Sequence, residues 1–112
     1  MKKDNRIKVI HVKGGAAPVE VLVSNELSAL QALVGGPIEV VSPCADLVIV
    51  CNEEGRLLGL PHNCRILGVD FVGDIFLCGI DGDEFADMPL SLELVTALGV
   101  IRRGYVLKGE QQ

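Results

Sequence analysis

Apolar and polar positions along this chain fall into short blocks that change period at glycine and proline. Residues 7–13 (IKVIHVK) mix β-branched with polar residues and stop at Gly14-Gly15, and residues 19–23 (VEVLV) follow Pro18. Two short β runs around such a connection predict an opening hairpin. The spacing then turns helical: Leu27, Leu30, Leu33 and Val34 share one stripe, Ser24 and Asn25 offer N-cap oxygens, and Glu26 falls in the first turn. Gly35-Gly36-Pro37 ends that helix, because glycine accepts the left-handed position and proline cannot continue the ladder.

The β period returns with residues 38–41 (IEVV), closed by Ser42-Pro43. Residues 46–51 (DLVIVC) form an almost unbroken apolar run, as expected of a strand covered on both faces. Asn52-Glu53-Glu54-Gly55 has the residues of a four-residue turn, so residues 56–60 (RLLGL) are expected to return as a strand. A polar loop follows at Pro61-His62-Asn63, then a brief extended piece at 64–67. Phe71 and Val72 lead through Gly73-Asp74 into residues 75–78 (IFLC), and Asp81-Gly82-Asp83-Glu84 makes a polar turn. Asp87 is expected to cap a last helix, with Pro89 in its first turn and Leu92, Val95 and Leu98, with Leu94 as a further candidate, on its buried side; residues 105–107 are left open between a short docked strand and a loose end.

These elements sum to an α+β fold. It has a mostly antiparallel or mixed β-sheet of five to seven strands, with two helices packed on one face, in a single domain spanning 1–112. The block from residue 47 to 78 is its organising centre, and the rest of the chain covers it.

Composition narrows the function classes. With 49% hydrophobic residues, mainly aliphatic, the chain can bury a core without disulfide staples. It has no tryptophan, one tyrosine and three phenylalanines, which argues against a base-stacking platform for single-stranded nucleic acid. A net charge of -5 argues against binding phosphate backbones, and Lys2, Lys3, Arg6, Lys8 and Arg102–Arg103 read as solvated tails. No nucleic-acid partner is expected. No apolar run reaches the ~18 residues of a membrane helix and Met1-Lys2-Lys3 does not open a signal peptide, so no membrane partner is expected either. Four cysteines without a Cys-x-x-Cys pair suggest reduced thiols in a cytoplasmic protein.

The order LQALVGGPIEVV, LVIVCNEEGRLLGLPHNCRI, VGDIFLCG and DGDEF resembles a family of small bacterial and phage proteins catalogued only as a domain of unknown function. The residues that carry the likeness are Gly35-Gly36 with Ile38-Glu39-Val40, the Asn52-Glu53-Glu54-Gly55 turn, Leu60-Pro61 with Asn63 and Arg65, and Gly73-Asp74 with Gly79. The chain departs from that pattern in the longer stretch Leu67-Gly68-Val69-Asp70. The resemblance implies a phage or mobile-element setting, a bacterial host cytoplasm and no established activity.

Candidate chemistry concentrates after Leu60. Asn63 offers two donors and an acceptor, His62 an imidazole that can donate or accept, and Arg65 carries a planar fork suited to phosphate or carboxylate. Pro61, His62, Asn63 and Arg65, with Asn52 and Asp74, are the candidate ligand-binding residues; the plainer explanation is that Pro61 and Asn63 only make a turn. Cys51, His62, Cys64 and Cys78 have irregular spacing for zinc. Asp70, Asp74, Asp81, Asp83 and Glu84 could hold Mg²⁺, but no catalytic base or phosphate-binding lysine accompanies them. No serine has a Gly-x-Ser-x-Gly context, and the glycine pairs lack phosphate-loop form.

The sequence therefore favours a non-enzymatic binding protein with no catalytic residues, no metal and no cofactor. It would sequester a small nucleotide-like ligand, a nucleotide-derived host defence signal, as a homo-oligomer. The alternatives are an interaction module that modulates a host protein, and a metal-dependent phosphodiesterase or nuclease.

Overall fold

The computed structural model describes residues 5–103. Its central sheet runs in the order β2 (Val19–Ser24), β1 (Arg6–Val12), β7 (Ile75–Asp81), β4 (Leu47–Asn52), β3 (Ile38–Cys44), with β8 (Glu84–Ala86) paired to β7. A second sheet is ordered β6 (Val69–Val72), β5 (His62–Ile66), β9 (Ile101–Arg102). Every pairing is antiparallel. With α1 (Leu27–Val34) and α2 (Leu92–Leu98), this is an α+β fold.

Strand alternation divides the core in two. Ile7, Val9, Val48, Val50, Phe76 and Cys78 form one buried cluster with Leu30 and Val34 of α1. Ile10, Val12, Leu47, Ile49, Ile75 and Leu77 point to the other side, where they meet Cys64, Ile66 and Phe71 of the second sheet, Met88, and Val95 of α2. The two helices thus cover opposite faces of the central sheet, not one. Because β4 and β7 are covered on both faces, their sequences read as apolar runs although the sheet is antiparallel.

Residues 56–60 are not a strand. Leu58 N–H donates to Glu54 O, Gly59 N–H to Arg56 O and Leu60 N–H to Gly55 O, so residues 53–60 wind through consecutive turns. Leu57 is 89% exposed there, which a strand pairing on β4 would not leave. The partners of β4 are β3 and β7 instead. His62 and Asn63, read as loop, open β5.

The stretch Leu67–Asp70 is the tip and return of a hairpin with Ile66 opposite Val69. Leu67 and Gly68 both have positive φ (49° and 86°), the two-residue turn whose twist matches the flanking strands. Leucine seldom takes that conformation, so local composition carries little sign of the turn.

Helix ends also differ from expectation. The α1 cap position is Glu26 and has no side-chain cap bond, while Asn25 Nδ2 donates to Phe85 O at 3.1 Å. Ser91, not Asp87, caps α2 by accepting from Leu94 N–H at 3.1 Å. Asp87 Oδ1 accepts from Lys8 N–H instead. Val95 is the buried residue of α2, whereas Leu98 is 63% exposed. Residues 105–107 lie outside the described residues. Among the described residues no helix is long and apolar enough to cross a membrane.

Candidate functional site

Three chain reversals meet at one end of the central sheet: the Gly14-Gly15 turn after β1, Gly35 at the end of α1, and Gly73 between β6 and β7. Together with the coil before β5 they enclose a cleft of about 450 Å³. Val34, Leu58, Leu60 and Pro61 form its apolar wall, and Asn52, His62 and Asp74 supply its polar side chains. Among the described residues no lysine or arginine lines it. The size and the mixture of apolar wall with few polar groups suit a small molecule.

Each polar residue is fixed by its surroundings. Asn52, the last residue of β4, is buried; its Nδ2 donates to Val34 O at 3.3 Å and its Oδ1 accepts from Glu54 N–H at 2.8 Å. A Cβ at Gly36 would lie 2.9 Å from that Nδ2, so glycine is what lets α1 end against Asn52. Asp74 Oδ1 accepts from Gly14 N–H at 2.9 Å and ties two of the turns together.

His62 belongs to a second cluster on the outer side of the small sheet. Its Nε2 lies 3.0 Å from Asp70 Oδ1, and Arg65 donates through Nε to Oδ1 at 3.2 Å and through Nη2 to Oδ2 at 2.9 Å. The Arg65 fork, then the His62 hydrogen bond, hold the Asp70 carboxyl below the usual carboxylate range. An ionised carboxylate only accepts, so Nε2 of His62 carries a proton and, in the neutral ring, Nδ1 is left with its lone pair. Arg56 Nη2 donates to the Asp70 carbonyl at 2.9 Å and anchors the 53–60 coil to the same hairpin.

Of the six candidate ligand-binding residues, Asn52, Pro61, His62 and Asp74 are brought to the cleft. Arg65 is not: it pairs with Asp70 and lines a separate depression with Leu67, Leu98 and Arg102. Asn63 lies in the interior, 4% exposed. Its Nδ2 donates to Val12 O at 2.8 Å and Gly73 O at 2.7 Å, and its Oδ1 accepts from Arg103 Nη2 at 3.0 Å. Arg103, read as part of a solvated tail, also donates to Ala16 O and to Lys13 O and clamps the turn that floors the cleft. Leu58 and Leu60 were missed because the coil that presents them reads as a strand.

Residues 7–97 match the family described as a domain of unknown function, DUF3846. The chain belongs to that family. No curated protein and no solved structure matches it. The matched segment contains every residue that lines the cleft and stops before Arg103.

In this DUF3846 chain the residues considered for zinc are spread over the fold. Cys64 and Cys78 lie in separate core clusters, and burial pushes their thiols up to about 11 and about 12. Asp70 and Asp74 are engaged as described, while Asp81 and Glu84 are paired across the tip of the β7–β8 hairpin. Among the described residues no three His, Cys, Asp or Glu side chains come together as a metal site.

Proposed function

We propose that this DUF3846 protein is a non-enzymatic binding protein whose cleft takes a small, flat, nucleoside-like ligand. In this reading it belongs to a phage or mobile element and sequesters a nucleotide-derived signal in the cytoplasm of a bacterial host. One observation carries it: Asn52 of β4, His62 of β5 and Asp74 of the β6–β7 step converge with Leu58, Leu60 and Pro61 on one cleft of about 450 Å³. Turn backbones at Gly14, Gly15, Gly35 and Gly73 form much of that surface, so a planar group can approach closely. The polar groups are pinned by hydrogen bonds to neighbouring turns, an arrangement suited to recognition by preformed geometry. Self-association is part of the reading, with β2 and β3 as the sheet edges and Leu22 of β2 60% exposed.

Calorimetric titration with nucleosides, cyclic nucleotides and ADP-ribose-like compounds tests it, backed by amide shift mapping. Saturable heat with shifts at Gly14, Leu60, Gly73 and Asp74 is the expected result. Silence from the whole panel in both measurements removes the ligand reading.

A second reading, a module that docks on a host protein, is favoured by the exposed leucines Leu67 (55%) and Leu98 (63%) beside one depression. Replacing both by serine would then abolish a host complex while leaving any nucleoside titration intact.

A further inference from the structure

We infer that the cleft selects a ligand by its N–H donors, an amino-substituted heterocycle such as an adenine-, guanine- or cytosine-type base, and keeps phosphate groups outside. The inference rests on the small-ligand reading above and specifies its chemistry. Both amide atoms of Asn52 already have partners, in Val34 O and Glu54 N–H. Asn52 keeps one amide N–H and one lone pair but is only 5% exposed, so the accessible side-chain capacity on the cleft wall is that of Asp74, whose Oδ1 holds Gly14 N–H, and of His62, whose Nε2 is committed to Asp70. Both are acceptors. A carboxylate facing the ligand attracts N–H groups and repels phosphate, and no lysine or arginine among the described residues lines the cleft to offset it.

The Arg65–Asp70 pair acts through His62. By accepting at Nε2, Asp70 fixes the tautomer that leaves Nδ1 as an acceptor, and the two bonds from Arg65 keep the carboxylate ionised and oriented. Arg65 and Asp70 are positioning residues that touch no ligand.

The test compares adenosine, guanosine and cytidine with purine riboside, whose base has no N–H, and with adenosine monophosphate. At least one amino-bearing nucleoside should bind roughly tenfold or more tightly than purine riboside, since a hydrogen bond to a charged acceptor is worth about 1.5–3 kcal/mol. The monophosphate should bind no better than its nucleoside. Asp74→Asn, which can still accept from Gly14, should lose most of that preference; its fold is checked by its amide spectrum. Imidazole ¹⁵N shifts should show His62 protonated at Nε2 in the wild type and a mixed tautomer in Asp70→Asn.

Equal binding of purine riboside and the amino nucleosides, tighter binding of the phosphate, or an unaffected Asp74→Asn would overturn the donor inference while leaving a small-ligand protein. No binding by any compound removes both.

Discussion

Arg103 donates from Nη2 to Oδ1 of Asn63 at 3.0 Å, across a separation of 40 residues, and completes the hydrogen bonding of the most buried polar side chain in the described fold. Asn63 thereby joins three regions: β1 through Val12 O, the β6–β7 step through Gly73 O, and the segment after β9 through Arg103. Removing the amide takes a donor from two buried carbonyls at once. Asn63→Ala is expected to cost about 2–4 kcal/mol in urea unfolding, in the range of buried polar groups left without partners. Asn63→Asp should cost at least as much, because a carboxylate cannot donate to Val12 O or Gly73 O. A variant of wild-type stability would show that these bonds contribute nothing net.

The burial of Asn63 marks where local sequence stops specifying this fold. The opening hairpin, α1, and the apolar runs of β4 and β7 were legible because their periodicity and their glycine stops agree. The 53–60 coil was not: RLLGL has strand-like residues, but its backbone closes on itself from Asn52 onward, and tertiary pairing gave the β4 edge to β3 and β7. The positive φ of Leu67 concealed the β5–β6 hairpin, and so the fact that His62 and Asn63 begin a strand. Composition marked the region after Leu60 as rich in hydrogen-bonding groups. Which of them face a cleft and which face the interior depends on a bulge between His62 and Cys64, and local sequence carries no sign of it.

Gly79 sits within the central strand β7 where β8 folds back on it. A Cβ there would lie 2.5 Å from the carbonyl oxygen of Asp87 and 3.3 Å from Pro89. Backbone is the obstacle, so no rotamer change relieves the clash. Gly79→Ala is expected to destabilise by about 1–3 kcal/mol or to detach the β8 return, as overpacking does elsewhere. Gly82→Ala at the hairpin tip has open space around it and only φ 63° to contend with. Its cost should be the smaller, about 1–2 kcal/mol. Thermal unfolding of the pair decides, and the reverse ranking would refute the steric account.

The four cysteines should divide by reactivity. Cys44 is exposed, Cys51 is half-buried with its thiol raised by burial and then by Glu39, and Cys64 and Cys78 are buried. Maleimide at neutral pH should label Cys44 first and leave Cys64 and Cys78 untouched until the chain unfolds. Linkage gives a companion expectation. Both buried thiols have folded values, about 11 and about 12, above the ordinary 9.0. Their contribution to stability is complete below about pH 9 and is lost as pH rises toward the folded values, because the unfolded chain releases those protons first. The melting temperature should fall above about pH 9, and less steeply in a Cys64→Val, Cys78→Ala variant.

Asp70 gives the opposite sign. Arg65 and His62 hold its folded carboxyl below the ordinary 3.8, so the unfolded chain takes up the proton first as acid is added. Stability from this cluster is complete above about pH 5 and declines as pH falls through the folded value. The side chains are partly exposed, Arg65 by 38% and Asp70 by 31%, which keeps the pair near the upper end of surface bridges, at most about 1 kcal/mol despite the forked geometry. Asp70→Asn should therefore be slightly less stable than wild type at pH 7, and the two urea midpoints should converge as pH falls below the ordinary carboxylate value and through the folded one. Added salt should narrow the gap at pH 7, since partly exposed charges are screened. A gap that stays constant from pH 7 to pH 2 would mean that Asp70 acts by shape alone, and the tautomer it imposes on His62 would lose its electrostatic basis.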